Sequence, residues 1–118
     1  MLSSSVSDYR KQCGEFIGLA VKYNEMYFRS IEELQLIMNG HHIAYDQLKL
    51  VTTEQSFNAC FTEWLCRTKS GSGEAGWAYA IDSMATEEGI DSLALFKSLV
   101  QDFLTQWYER PEETETLE

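Results

Sequence analysis

The chain has 118 residues, of which 44% are hydrophobic and 13% aromatic, so it is long enough to bury one core and too apolar to be a disordered chain. Its net charge of −10 is concentrated in residues 71–118, which carry two basic and eleven acidic residues, whereas residues 1–70 are nearly neutral. An acidic surface repels nucleic acid and anionic lipid and attracts basic partners. Direct binding to nucleic acid or to a membrane is therefore not expected.

The three cysteines show no spacing typical of a disulfide framework. The first residues lack the apolar stretch of a signal peptide, and no apolar run is long enough to span a membrane. We therefore expect a cytoplasmic protein with reduced thiols. One helical domain is predicted over residues 1–111. Residues 112–118 are predicted to be an acidic disordered tail or a cloning remnant, and the sequence leaves open whether Leu117 and Glu118 are native.

The first predicted helix starts near Val6, because apolar residues recur from there with a period near 3.6. A second helix is predicted to begin at Ser30, which can form a capping box with Glu33, and to end at Asn39-Gly40. Apolar and polar residues partly alternate over residues 41–51. A short irregular or strand-like segment therefore competes there with a helical turn.

A strongly amphipathic helix is predicted next. Thr52 and Gln55 can form a second capping box in front of it. Its apolar face repeats with helical spacing and consists of Phe57, Cys60, Phe61, Trp64 and Leu65. Two phenylalanines and a tryptophan on one face indicate a helix that contributes to the core.

Helical spacing returns over residues 77–85, and Gly89 is predicted to end that helix. The last helix is predicted to be capped by Asp91, to carry a wide apolar face and to end at Arg110-Pro111. No internal repeat and no long linker interrupts the chain. The predicted fold is all-α, a compact single-domain bundle of four to five helices.

The glycines Gly71, Gly73 and Gly76 spell G-x-G-x-x-G, the string found in dinucleotide-binding turns. That turn needs a preceding buried strand, whereas a predicted helix precedes these glycines. Glu74 would also oppose an incoming phosphate, and the lysine of a P-loop is missing. We interpret the segment as a flexible loop between two helices.

No catalytic or metal-binding constellation emerges from the sequence. Cys60 and Cys66 are six residues apart and point in different directions on a helix. The adjacent His41 and His42 are better explained by helix capping or surface exposure than by metal ligation. We therefore predict no catalytic residue, no metal, no cofactor and no enzymatic activity.

A partner-binding surface is predicted after the glycine loop, where acidic side chains alternate with aromatic ones. Charges of this kind accelerate association with a basic surface, and aromatic side chains supply anchoring contacts. For Trp77 taken alone, burial in the core is the slightly better interpretation. The predicted surface residues are Glu74, Trp77, Tyr79, Asp82, Glu87, Glu88 and Asp91.

The segments SFNACFTEWLCRTK, GWAYAID and SLALFKSLVQDFLTQW, in a small acidic chain, resemble the immunity proteins of bacterial toxin systems, in particular of contact-dependent growth inhibition. The resemblance implies a non-enzymatic protein that binds a cognate toxin domain and blocks its active site. Such toxin domains are often nucleases with a basic cleft, and an acidic patch would imitate the charge of their substrate.

Two alternatives remain open from the sequence. The chain could be a helical adaptor or regulatory subunit of a larger complex, or a small ligand-binding or enzymatic helical domain with a pocket between helices. Self-association would indicate the first alternative, and a deep apolar pocket with convergent polar groups the second. The sequence does not determine the oligomeric state, and we expect a monomer.

Overall fold

The computed structural model describes residues 4–69 and 76–109. Within these ranges the chain forms no strand, which confirms the predicted all-α fold. The described part of the bundle contains five longer helices and one four-residue helix. They are α1 (Ser4–Lys22), α2 (Asn24–Tyr27), α3 (Ile31–Gln47), α4 (Phe57–Lys69), α5 (Gly76–Glu88) and α6 (Ser92–Glu109), with a 3₁₀ turn at Thr53–Gln55.

Local capping chemistry explains where several helices begin and end. Ser30 accepts a hydrogen bond from the Glu33 backbone N–H at 3.2 Å, as predicted for the start of α3. Asp91 accepts the backbone N–H of Ala94 at 3.0 Å and caps α6. Gly89 follows α5 with a positive φ of 71°, the conformation in which glycine most easily ends a helix.

The second predicted capping box opens a 3₁₀ turn instead of α4. The Thr52 backbone N–H donates to Gln55 Oε1 at 2.9 Å, within the turn that ends at Gln55. The hydroxyl of Ser56 then accepts the backbone N–H of Ala59 at 3.2 Å, and α4 begins at Phe57. The turn and the helix therefore have separate caps.

The predicted helix end at Asn39-Gly40 is wrong, and so is the strand-like alternative for the following residues. Helix α3 continues through Gly40 to Gln47 because its last turns gain tertiary packing that sequence propensity does not include. His42 is buried there, and the Tyr45 ring packs edge-on against Tyr9 with 5.0 Å between ring centroids.

Two crossed hydrogen bonds end α3 after Gln47. The Leu50 N–H donates to the Tyr45 carbonyl at 3.0 Å, and the Lys49 N–H donates to the Asp46 carbonyl at 2.9 Å. This is a Schellman motif with Lys49 at the left-handed position, where its φ is 62°. Residues 48–51 therefore form a turn.

The core is built mainly from aromatic rings of α4, α5 and α6. Trp77 stacks on Phe96 with 5.1 Å between ring centroids, and Phe61 contacts Phe103 at 5.1 Å. Such pairs add to the free energy that burial of the rings already contributes. The largest fully buried side chains of these three helices are Phe57, Phe61, Leu65, Trp77, Ile81, Phe96, Phe103 and Trp107.

Helix α1 covers this core from the other side. The fully buried Tyr9 accepts a hydrogen bond from the backbone N–H of Phe57 at 2.8 Å, which satisfies a free donor in the first turn of α4. Arg10 donates to the carbonyl of Trp107 at 3.0 Å, and its guanidinium lies 5.4 Å from the centroid of the Trp107 ring. These contacts attach α1 to α4 and α6.

None of the helices in residues 4–69 and 76–109 is both long and apolar enough to cross a membrane. Of the predicted glycine loop, only Gly76 lies in the described part, at the start of α5 with a φ of 90°. A Cβ at this position would lie 2.8 Å from the side chain of Gln35. Helix packing and backbone conformation therefore explain this glycine without a nucleotide.

Candidate protein-binding surface

The predicted surface residues do not all lie on the surface. Tyr79 is 58% exposed, Asp82 is half-buried, and three further acidic residues, Glu87, Glu88 and Asp91, are exposed. Glu74 lies outside the described residues. The prediction for the remaining residue, Trp77, is corrected below.

Trp77 belongs to the core and offers no surface to a partner. Its side chain is fully buried, and its indole N–H donates to Asn58 Oδ1 at 2.8 Å. The ring packs between Phe61 of α4 and Phe96 of α6. Trp77 is therefore removed from the predicted surface, and Tyr79 is the aromatic residue that stays exposed.

A buried polar network fixes the start of α5 and with it the position of Tyr79. Gln35 of α3 accepts the backbone N–H of Ala78 at 2.9 Å through its side chain, so that a neighbouring helix supplies the cap of α5. The carbonyl of Gln35 accepts from Asn58 Nδ2 at 3.0 Å, and Asn58 also accepts from Trp77. The network connects α3, α4 and α5.

Two carboxyl groups meet across α3 and α5. The carboxyl groups of Glu32 and Asp82 lie close enough to share a hydrogen bond when one of them is protonated, and this contact raises the pKa of Glu32. Partial burial of Glu32 acts in the same direction. Because Gln35 contacts the start of α5 and Glu32 contacts Asp82 further along it, the two helices are antiparallel.

An open cleft of about 210 Å³ surrounds this carboxyl pair. Its wall includes three acidic side chains and one basic side chain, Arg29. Asp91 lies at the N-terminus of α6, where the helix dipole favours a negative charge. The polar lining residues are Arg29, Ser30, Glu32, Asp82, Asp91 and Ser92.

We call the residues that combine these features the acidic surface. It includes the carboxyl pair at the α3–α5 contact, the exposed aromatic and acidic side chains of α5, and Asp91, which caps α6. Glu32 was not predicted as a member, because only helix packing brings it to Asp82. The acidic surface consists of Glu32, Tyr79, Asp82, Glu87, Glu88 and Asp91.

A second cluster of titratable groups is buried between α1 and α3. Cys13 Sγ lies 3.7 Å from His41 Nδ1, and the ring of Tyr9 stacks on His41. Burial raises the pKa of Cys13 to about 12 and raises the pKa of Tyr9 as well. Burial, and then the neighbouring His42, lower the pKa of His41. A protonated, buried thiol is a poor nucleophile and a poor metal ligand.

His42 is buried inside the bundle, which corrects the expectation that both histidines cap a helix or lie on the surface. It is 6% exposed, and neither of its ring nitrogens has a hydrogen-bond partner in the described structure. Within residues 4–69 and 76–109, no three His, Cys, Asp or Glu side chains are grouped to hold a metal ion.

Comparisons of the chain with protein-family models, with curated proteins and with solved structures find no match.

Proposed function

We propose that this chain is a non-enzymatic inhibitor that binds a basic protein domain through the acidic surface. The observation that carries the proposal is the Glu32–Asp82 carboxyl pair, in which Glu32 is exposed and Asp82 half-buried, and which the packing of α3 on α5 brings together. A lysine or arginine side chain of a partner would place a positive charge beside these oxygens. The repulsion present in the free protein would thereby become attraction in the complex.

The surrounding surface supports the same kind of partner. Glu87, Glu88 and Asp91 are exposed beyond the carboxyl pair, and they add a negative field that accelerates encounter with a basic domain. Tyr79 is more than half exposed and can bury its ring against the partner, as aromatic residues do at interface centres.

The resemblance to immunity proteins suggests the identity of the partner. We propose that the partner is a cognate toxin domain, and a nuclease is the first activity to test. In the cytoplasm of the protected cell, the acidic surface would block the basic cleft of this domain. A growth experiment distinguishes this proposal from the adaptor alternative, because an immunity protein restores growth to a cell that produces the toxin and an adaptor does not.

The experiment starts from the neighbouring gene: if that gene encodes a large secreted protein with a variable C-terminal domain, this domain is used as the toxin in growth and binding-kinetics assays. We expect co-expression to restore growth, and the purified proteins to associate more slowly at high salt. Reversing two exposed charges, Glu87→Lys with Glu88→Lys, should slow association at least about tenfold at low salt and weaken its salt dependence.

The matched control places the same change of net charge on α1, as Asp8→Lys with Glu15→Lys, where both acids are also exposed. This control should retain most of the wild-type association rate. Equal slowing in both double variants would show that only net charge matters and would contradict a defined acidic surface. Absence of growth rescue by the wild-type chain would contradict the inhibitor itself.

A further inference from the structure

Helix α3 has a second apolar face that no part of the described bundle covers. Its inner face is buried through Ile31, Leu34, Met38 and His42. On the opposite side, Leu36 is 69% exposed, Ile43 is 44% exposed and Ile37 is 39% exposed. An amphipathic helix of a monomer normally presents polar side chains there. Leu36 and Ile43, which lie on the same side of the helix, with Ile37 toward its edge, therefore indicate a contact surface.

The spacing of this outer face is that of a coiled-coil seam. Leu36, Gly40, Ile43 and Gln47 are separated by four, three and four residues, and all are exposed. The four seam positions carry no charge. Charges lie at the two ends of the row, with Glu33 one turn before Leu36 and Lys49 just after the end of the helix.

We propose that the outer face of α3 binds a second copy of this chain in an antiparallel, two-fold symmetric contact. This arrangement seats Ile43 of each copy on the partner's Gly40, where the absent side chain leaves room for it. Leu36 packs against the partner's Gln47. The acidic Glu33 end of each helix meets the partner's Lys49 end, and the helix dipoles are opposed.

Gly40 supports close approach of a second helix. A Cβ at this position would meet no described atom within 4 Å, so nothing inside the described bundle requires a glycine. Glycine in a helix interior costs about 1 kcal/mol relative to alanine. Its cost is offset if a side chain of the second copy occupies the space above it.

Charge selects a second copy at this face rather than at the other half of the molecule. Residues 71–118 hold eleven acidic and two basic residues, so two copies repel each other through that half. Residues 1–70 are nearly neutral as a whole, and α3 within them carries three acidic residues, Glu32, Glu33 and Asp46, and no lysine or arginine. The dimer leaves the acidic residues of α5 and Asp91 outside the contact, whereas Glu32 lies one helical turn before Leu36, at the edge of the contact. Dimerisation itself does not depend on the proposed function.

The contact is small, because a helix of 17 residues is about 25 Å long. Interfaces of this size give dissociation constants that are micromolar or weaker. The core is complete within one chain, so folded monomers and dimers exchange with concentration. The sequence-based expectation of a monomer therefore applies only to dilute solutions.

Sedimentation velocity of the purified chain, over roughly two decades of concentration, tests the proposal. We expect a reversible monomer–dimer equilibrium that becomes stronger as NaCl rises from about 50 to about 500 mM, because salt screens the repulsion between two acidic chains. Binding of a basic partner to the acidic surface would change with salt in the opposite direction. A failure of either proposal is therefore distinguishable from a failure of the other.

The decisive variant is Gly40→Gln, which fills the space for Ile43 and should weaken dimerisation at least about tenfold. Its matched control is Gly18→Gln on α1, an exposed helical glycine whose Cβ would also meet no described atom within 4 Å. Both variants should raise monomer stability slightly, and the control should dimerise like the wild type. A monomer at every concentration and salt, or equal dimerisation of both variants, would overturn the proposal.

Discussion

Two fully buried tryptophans flank Phe57 in the core, and their indole groups have different surroundings. Trp77 and Trp107 lie 5.9 and 5.8 Å from Phe57, measured between ring centroids. The N–H of Trp77 donates to Asn58, whereas the N–H of Trp107 has no partner among the described residues. The indole N–H of one buried tryptophan is therefore hydrogen-bonded, whereas that of the other has no hydrogen-bond partner in the described structure.

The surroundings of Trp77 and of Trp107 also differ in whether polar side chains connect the helices. Around Trp77, each hydrogen bond of Asn58 and Gln35 joins one helix to another, so that the network also positions Tyr79 on the acidic surface. Around Trp107, the buried His42 also has no hydrogen-bond partner among residues 4–69 and 76–109, and both side chains contact the ring of Tyr9. In this second region the imidazole of His42 and the indole N–H of Trp107 add no hydrogen bond among the described residues. Ring packing, the hydrogen bond of Tyr9 with Phe57 and the contacts of Arg10 with Trp107 supply its stability.

The largest expected effect comes from breaking the network at Trp77. Asn58→Ala removes the acceptor of the indole N–H and the donor to Gln35, and a buried donor without a partner costs about 1–3 kcal/mol. We expect a loss of unfolding free energy in this range, measured by urea denaturation. The control Asn39→Ala, at an exposed asparagine of α3, should change stability by less than about 0.5 kcal/mol. Equal losses would contradict a special role of the network.

The sequence predicted those features of the fold that depend on neighbouring residues. Ser30 and Asp91 cap helices as expected, and Gly89 ends α5, because the hydrogen bonds involved span only a few residues. The end of α3 was predicted wrongly because packing of His42 and Tyr45 against Tyr9 outweighs the local stop signal.

The candidate site was predicted less completely for the same reason. Exposed Tyr79 and the acidic residues of α5 follow from composition and helical spacing. The partnership of Glu32 with Asp82 does not, because it requires the antiparallel packing of α3 on α5. Helical spacing also cannot distinguish a buried Trp77 from an exposed one, since the acceptor for its N–H comes from α4.

An effect of intermediate size is expected at His42, whose buried ring nitrogens have no hydrogen-bond partner in the described structure. His42→Leu replaces an unsatisfied buried imidazole with an apolar side chain of good helix propensity, and we expect a gain of about 1 kcal/mol. Urea denaturation at about pH 7.5 measures this gain. The control is His41→Leu, which removes a ring that stacks on Tyr9 and contacts Cys13 and should therefore give no gain. A loss from His42→Leu would contradict the comparison.

Titration distinguishes the acidic surface from the buried histidine cluster by the direction of its effect. The raised pKa of Glu32 means that the native state binds protons more strongly than the unfolded chain, so that stability falls as pH rises above about 4.3. The lowered pKa of His41 has the opposite sign, and stability falls as pH drops below about 6.5.

The smallest expected effect concerns the Glu32–Asp82 pair, and its dependence on pH makes it specific to that pair. Asp82→Asn removes the negative charge beside Glu32 and leaves the favourable charge of Glu32 in the first turn of α3 unchanged. The variant should exceed the wild type by about 0.5 kcal/mol or less at neutral pH, as is typical of exposed charge pairs. This gain should vanish as pH falls toward 4, because the pair then holds its proton. The control Asp102→Asn, at an exposed position of α6, should show no such pH-dependent difference. A gain that persists in acid would mean that the carboxyl pair is not its source.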